Sequence, residues 1–293
     1  MSAGQAVILS PFAALRVNSA KEAIPGHGSF ASLRMTPGPF AVWIDDVPRE
    51  GWENMAIDQA LLELADAGER WLRLYRWSPW CLSFGRHEPA ARRYDGERIA
   101  ALDLPVVRRP TGGRAVWHAR ELTYAVATPT HGLGSLREAY RGIHAMLRDA
   151  LRALGAPADL APARHAAPLD AGACFAVPVG GEVMVAGRKV VGSAQLRRGA
   201  ALLQHGSVLL EDDQAMVTSV TRGSPPPDLA VPLSRLLGRR LGWQEAAEAV
   251  LETAGERWQL SRGRSPAAIL DRAAGSAARF RSAEWTWTGT ASG

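Results

Sequence analysis

The sequence predicts an α+β (α/β) protein, and three observations carry that expectation. Alternating apolar and polar runs recur in pairs around short turns, over residues 70–85, 108–127 and 182–210, the pattern of antiparallel hairpins. Residues 52–65 and 136–154 instead carry apolar side chains at helical spacing. Strict strand–helix–strand alternation is scarce, which argues against an all-parallel sheet.

The totals bound the function classes. A chain of 293 residues buries a full core as one large domain, alone or with a small appendage. Hydrophobic content of 47% and charged content of 22% are those of a globular protein, and no apolar run approaches the ~20 residues of a membrane span. The net charge of +5 suits acidic partners. The chain has no long basic block or basic–aromatic repeat, so nucleic acid is not expected as a partner. Two cysteines, Cys81 and Cys174, provide no disulfide framework, and a reducing, cytoplasmic compartment is expected.

Taken in order, residues 1–36 are broken by Pro11, Pro25, Gly26 and Gly28 and lack a signal-peptide pattern. They are expected to be a disordered extension, with Met35 as the functional start. Residues 40–45 form a strand, and residues 52–65 form a helix with Trp52, Met55, Leu62 and Ala65 on one stripe. Asn54 and Asp58, one helical turn apart, either bond neighbouring loops or are ordinary polar-face residues. Residues 70–77 alternate as a strand, Ser78-Pro79 turns it, and residues 80–85 return as its hairpin partner. Cys81 sits inside that apolar strand and is expected to be a buried, inert thiol. A short helix over 95–102 leads to residues 106–127, VVRRPTGGRAVWHARELTYAVA. There a Pro110-Thr111-Gly112-Gly113 turn separates Arg108 and Arg109 from Arg114. Paired glycines let backbone approach a ligand, and forked guanidinium donors suit a carboxylate or phosphate. A plain β-turn with solvated arginines fits the same pattern.

The clearest helix, 136–154, buries Ala139, Ile143, Met146 or Leu147, Ala150 and Leu154 and carries Arg137, Arg141, Arg148 and Arg152 at polar positions. Residues 156–181 are rich in Ala, Pro and Gly without periodicity, a loop long enough to be functional or mobile. Two turns, at Gly187-Arg188 and at 197–199, then organise residues 182–210 as an antiparallel meander. Beyond Asp212 the pattern is helical over 229–240, 243–258 and 266–274, and the last dozen residues are expected to fray.

Two residues stand out chemically. Cys174 lies on the glycine-flanked loop as GACFAVP, accessible, and nucleophilic as a thiolate. Lys189 is the only lysine after Lys21 in a chain with 32 arginines. Lysine differs from arginine in offering a compact ammonium able to lose its proton when buried. A surface turn lysine remains the plain alternative. The seven histidines and two distant cysteines show no metal-ligand spacing, so no metal is expected.

The stretch RRPTGGRAVWHARELTY is similar to the RRxSGG(G/R)AVxH loop of the biotinyl/lipoyl ligase superfamily, in the form of its octanoyltransferase branch. NMAIDQALL, LRLYRWSPWCLSFGR and ACF…GRKVVGSAQLRRGAALLQHGSVLL extend that resemblance over about residues 40–210. The resemblance implies a mixed, mostly antiparallel sheet flanked by helices, the class II biotin/lipoate ligase-like catalytic domain. It divides the chain into the extension 1–36, a catalytic domain 37–224 and a helical segment 225–293 packed on it. It further implies transfer of an octanoyl group from acyl carrier protein to a lysine of a lipoyl-domain protein such as the glycine cleavage H protein, by a monomer without cofactor.

In that reading Cys174 is the acyl-accepting nucleophile and Lys189 its partner at the carbonyl. Arg109, Gly112, Gly113, Arg114, Val116 and His118 line one side of the acyl site, and Gly192, Ser193 and Ala194 the other. His118, Gln204 and His205 are expected to be structural. ATP and magnesium enter only under a lipoate–protein ligase alternative, and a non-catalytic binder of lipoyl proteins is a third possibility. Biotin ligation is disfavoured because its glycine–arginine loop reads differently. Two departures stand against the branch pattern: Ala119 replaces an aspartate after the histidine, and AVPVGGEV follows Cys174 where the branch carries Pro-Ser and an aromatic.

Overall fold

Capping residues set the first elements. Strand β1 (Phe40–Arg49) runs into helix α1 (Gly51–Asp66), where Glu50 and Glu53 close a reciprocal capping box on the first turn. Then come β2 (Trp71–Trp77), β3 (Cys81–Phe84), the short helices α2 (Ala90–Arg93) and α3 (Gly96–Ala101), β4 (Val106–Arg108), β5 (Val116–His118) and β6 (Glu121–Pro129). Helix α4 (Leu136–Ala153) is opened by a Ser135–Glu138 capping box. It is followed by β7 (Ala158–Leu160), β8 (Val183–Val185), β9 (Arg188–Lys189), β10 (Val191–Arg198) and β11 (Ala201–Leu209). The chain closes through α5 (Ala215–Val220), α6 (Leu233–Leu237), α7 (Trp243–Arg257), β12 (Leu260–Arg262), α8 (Pro266–Arg281) and α9 (Ala283–Thr288). This computed structural model describes residues 38–162, 181–211, 214–223, 230–263 and 265–290.

Among the described residues the main sheet has the order β10-β11-β6-β2-β1-β12. Its β10-β11-β6-β2 half is antiparallel, while β2, β1 and β12 run parallel. Alternation along the strands sends each set of side chains to one face. Leu72 and Leu74 of β2, with Leu122, Tyr124 and Val126 of β6, pack with α4 and α7. Trp71 and Tyr75, with Ala125 and Ala127, pack with α1 and α8. The class and the mixed sheet with flanking helices agree with expectation. The described residues fall in one compact unit, Gly38–Gly293.

Several local expectations are corrected. Residues 70–85 are not a hairpin: β2 pairs with β1 and β6, and β3 pairs with β4 and β5 in a separate three-stranded sheet. The 108–127 segment is not one hairpin either. The chain turns at Ala119-Arg120 and passes from the small sheet to the large one. The 182–210 meander is two hairpins in two sheets, since β8 pairs with β9 and with β7 in a small sheet, whereas β10 pairs with β11 in the main sheet. Its first turn sits one residue early, at Ala186-Gly187, both at positive φ (48° and 72°), as a type I′ turn requires. The 229–240 helix shrinks to Leu233–Leu237, and the 266–274 helix extends to Arg281. The C-terminal segment is more than helices, because β12 adds an edge strand beside β1. Nor do residues 282–290 fray: α9 buries Trp285, whose indole donates to the Arg108 carbonyl at 3.1 Å. Periodicity alone cannot register these exchanges, because each strand alternates correctly whichever partner it takes.

Candidate active site

A cleft opens on the α1 side of the sheet, between β5 and β10. Met55, Tyr75 and Trp77 lie along its inner part, Val116 and His118 on one wall, and Gly192, Ser193 and Ala194 on the other. Ser193 and Ala194 are partly exposed whereas Met55 and Tyr75 are buried, so the mouth lies at the sheet edge and the floor beneath α1. The walls combine apolar surface with polar groups bonded to one another, which suits an uncharged chain.

Two imidazole relays hold those polar groups. His118 Nδ1 lies 2.7 Å from Glu121 Oε1, and because a carboxylate only accepts, the proton is assigned to Nδ1. The Ser83 hydroxyl then donates to His118 Nε2 at 2.6 Å. Thr123 and Ser207 hydroxyls donate to the same Glu121 oxygen, and Trp77 Nε1 donates to Thr123. Trp77 also stacks on His118, with ring centroids 3.9 Å apart. Burial lowers the His118 pKa, opposed by the Glu121 carboxylate. The second relay has the same plan. His205 Nδ1 donates to Asp58 Oδ2 at 2.7 Å and its Nε2 accepts from the Thr111 hydroxyl at 2.6 Å. Asp58 also receives Tyr75 Oη and Arg73 Nη1, and Arg73 is held in turn by Asp45 and Asn54. Asn54 and Asp58, which pattern alone left open, are thus fully buried brackets.

Arg108 and Arg109 donate to carbonyls and a hydroxyl of the protein itself. Arg108 is fully buried and donates to the carbonyls of Gly85, Arg86, Glu88, Trp285, Thr286 and Trp287. Arg109 lines the cleft but donates to Ser83 and to the carbonyls of Gly112 and Arg114. Gly112, Gly113 and Arg114 are absent from the cleft lining. Gly113 has φ +90°, and a Cβ on Gly85 would sit 1.8 Å from its carbonyl oxygen. The paired glycines therefore seat the turn against Gly85, backbone on backbone.

Lys189 is buried at the end of β9, and its Nζ donates to Glu182 Oε1 at 2.5 Å. Three residues later the chain forms the Gly192–Ser193–Ala194 wall. Behind that wall stands His144 of α4. The Gln204 amide donates to Tyr124 Oη at 2.9 Å, and the Tyr124 and Ser193 hydroxyls are 2.7 Å apart. His144 lies 2.8 Å from Ser193 Oγ through Nε2 and 2.7 Å from the Gly181 carbonyl through Nδ1. A carbonyl only accepts, so His144 donates from Nδ1 and receives the Ser193 proton at Nε2. Burial drives the His144 pKa down to about 4, and that of Tyr124 up to about 12. Cys174 lies outside the described residues. The described ends of its segment are tied together, since Gly181 N donates to Ala161 O at 2.8 Å and Ala161 N to Glu182 O at 2.7 Å. Cys81 is fully buried, and burial raises its pKa. Among the described residues no group of three or more His, Cys, Asp or Glu is placed to hold a metal ion.

Comparisons with known proteins agree with this architecture. The family model described as the lipoyl protein ligase A/B catalytic domain matches residues 50–255. The chain belongs to that family. Octanoyltransferase LipM of Kyrpidia tusciae is 44% identical over 180 residues, covering 58% of this chain and 65% of that protein, so the match spans slightly less than two thirds of it. Octanoyltransferase LipM of Symbiobacterium thermophilum is 38% identical over 224 residues, covering 70% of this chain and 82% of that one. The Exiguobacterium sibiricum protein of the same name is 34% identical over 263 residues, covering 80% and 93%. In fold, the chain resembles a lipoate-protein ligase A crystallised with ATP (TM-score 0.72, 18% identity, 86% of this chain and all of that one). It also resembles the bipartite lipoate protein ligase of Thermoplasma acidophilum (TM-score 0.69, 18% identity, 87% and 98%).

Within this family fold, the cleft brings together Arg109, Val116, His118, Gly192, Ser193 and Ala194 from the residues singled out by sequence, and leaves Lys189 behind the second wall. Sequence reading passed over Glu182, His144, Tyr75, Trp77, Thr123 and Ser207. His144 had a signal: it lies beside Ile143 and Leu147 on the buried stripe of α4, an odd place for a solvated imidazole.

Proposed function

We propose that this protein is an acyltransferase that moves a medium-chain acyl group, octanoyl, from acyl carrier protein to a lysine of a lipoyl-domain protein such as the glycine cleavage H protein. The observation that carries the reading is the continuity of the chain from β9 of the small sheet into β10 of the main sheet. Lys189 leads directly into the Gly192–Ala194 wall of the cleft, beside the tied ends of the Cys174 segment. The names of the LipM relatives support octanoyl as the group moved.

In this mechanism the Cys174 thiolate attacks the carrier thioester. A new C–S bond forms, the carrier thiol leaves, and octanoyl is held on the protein. The acceptor amine then attacks that thioester, the amide forms, the C–S bond breaks, and the amine proton passes to the departing thiolate. Exchange of one thioester for another is nearly isoenergetic and amide formation is downhill, so ATP has no step to drive. Lys189 supplies positive charge where the oxyanion develops. About seven carbons buried in the cleft contribute on the order of 5 kcal/mol at ~0.8 kcal/mol each. The net charge of +5 steers acidic protein partners toward the site.

The test is incubation with octanoyl-acyl carrier protein in the absence of ATP, read by intact mass. The expected result is a hydroxylamine-labile octanoyl adduct that is absent in Cys174→Ala. ATP-dependent acylation of an acceptor domain from free octanoate, with no adduct, would make the protein a ligase. Neither activity would favour a binder.

A further inference from the structure

The hairpin that delivers Lys189 also fixes what the ammonium touches. Lys189 lies opposite Met184 in the β8–β9 ladder, and Glu182 stands two residues before Met184, on the same face. A diagonal pair of this kind is within reach of long side chains. The Ala186-Gly187 turn, with positive φ at both positions, sets that register. Glu182 is in turn fixed at its backbone, where its carbonyl receives the Ala161 N–H. The side chains of Glu182 and Lys189 are only 4% and 2% exposed. A buried ammonium requires a close counter-charge, and this pair has one at 2.5 Å.

We infer that Glu182 is the positioning residue for Lys189: its carboxylate aims the ammonium for acyl transfer, an assignment that rests on the proposed acyltransferase reading. The carboxylate does not contact the acyl group. It acts through Lys189, so its removal slows chemistry without loosening the acyl carrier. Buried pairs of this kind also exist for stability alone, and the test separates the two roles.

With only two lysines in the chain, 15N-lysine labelling of the full-length protein gives Lys189 its own ammonium signal beside that of Lys21. The expected spectrum shows one protected, shifted ammonium that moves or disappears in Glu182→Gln and returns in Glu182→Asp. In octanoyl transfer from acyl carrier protein, Glu182→Gln lowers kcat by about 10–100-fold, the effect of losing one charge-assisted hydrogen bond, with KM within about twofold. In a Lys189→Met background the same substitution has no further effect. Wild-type protein with two equally solvent-exchanging ammonium signals would overturn the pairing even if no variant folds. Equal slowing by Glu182→Gln with and without Lys189, or a lowered Tm with kcat intact, would overturn the positioning role. Failure of wild-type protein to transfer octanoyl would instead remove the acyltransferase reading, and the role of Glu182 with it.

Discussion

The two walls of the cleft are built on opposite principles. On the β5 side, the residues that look most like ligand binders are parts of the scaffold. Arg108 ties the 85–88 loop to α9, Arg109 ties Ser83 to the glycine turn, and both histidines have hydrogen-bond partners at each ring nitrogen. On the β10 side the wall is an edge strand among the described residues, partly exposed, backed by the Glu182–Lys189 ion pair and the His144 strut. Under the proposed function, a densely bonded wall beside a partly exposed edge suits a site that holds one substrate tail while two different proteins come and go. Polar density on the β5 side therefore marks support, and the proposed function places the chemistry on the β10 side.

Breaking the densely bonded wall has the largest expected effect. Arg108→Met removes six hydrogen bonds to carbonyls and undocks α9, and loss of a buried, fully bonded charge costs on the order of 3–5 kcal/mol. Denaturant unfolding checks this, and Arg108→Lys rescues little because an ammonium cannot span the same carbonyls. A variant as stable as the parent would show that α9 docks without Arg108.

The partly exposed wall is sharpened by pH. His144 is neutral in the folded protein with a pKa near 4, whereas an unfolded histidine titrates near 6.5. Between these values the unfolded chain binds a proton that the folded chain does not, so stability rises with pH through this window. The contribution is fully present above about pH 6.5 and is lost as pH falls towards 4. Its size is on the order of 2–4 kcal/mol. Unfolding free energies measured from pH 4 to 7 should show a shallower slope in His144→Asn, and an unchanged slope would place the titration elsewhere.

How much of this was legible in the sequence follows from what each signal depends on. Helices α1, α4 and α7 were readable to within two residues, because amphipathic spacing is local. Strand partners were not, because β2 and β3 alternate equally well as a hairpin or in separate sheets. The cleft walls around Val116 and Gly192 followed from family resemblance. The brackets behind them did not, because Glu182, His144 and Thr123 acquire meaning only from residues distant in sequence. Arg108 was misread for the same reason: its main partners include carbonyls 177–179 positions away.

The finest test of the scaffold reading lies in three neighbouring glycines. Gly85→Ala puts a methyl group against the Gly113 carbonyl, a backbone clash no rotamer relieves, and is expected to cost about 1–3 kcal/mol and distort the turn. Gly113→Ala must hold φ near +90°, at a cost of about 1–2 kcal/mol. Gly112 has open space where a Cβ would point and no positive φ, so Gly112→Ala should change stability by no more than about 0.5 kcal/mol. If the turn instead cradled a ligand by close backbone approach, Gly112→Ala would leave stability unchanged yet abolish acyl loading. Unfolding and loading measured together on that one variant therefore separate a turn packed against Gly85 from a turn wrapped around substrate.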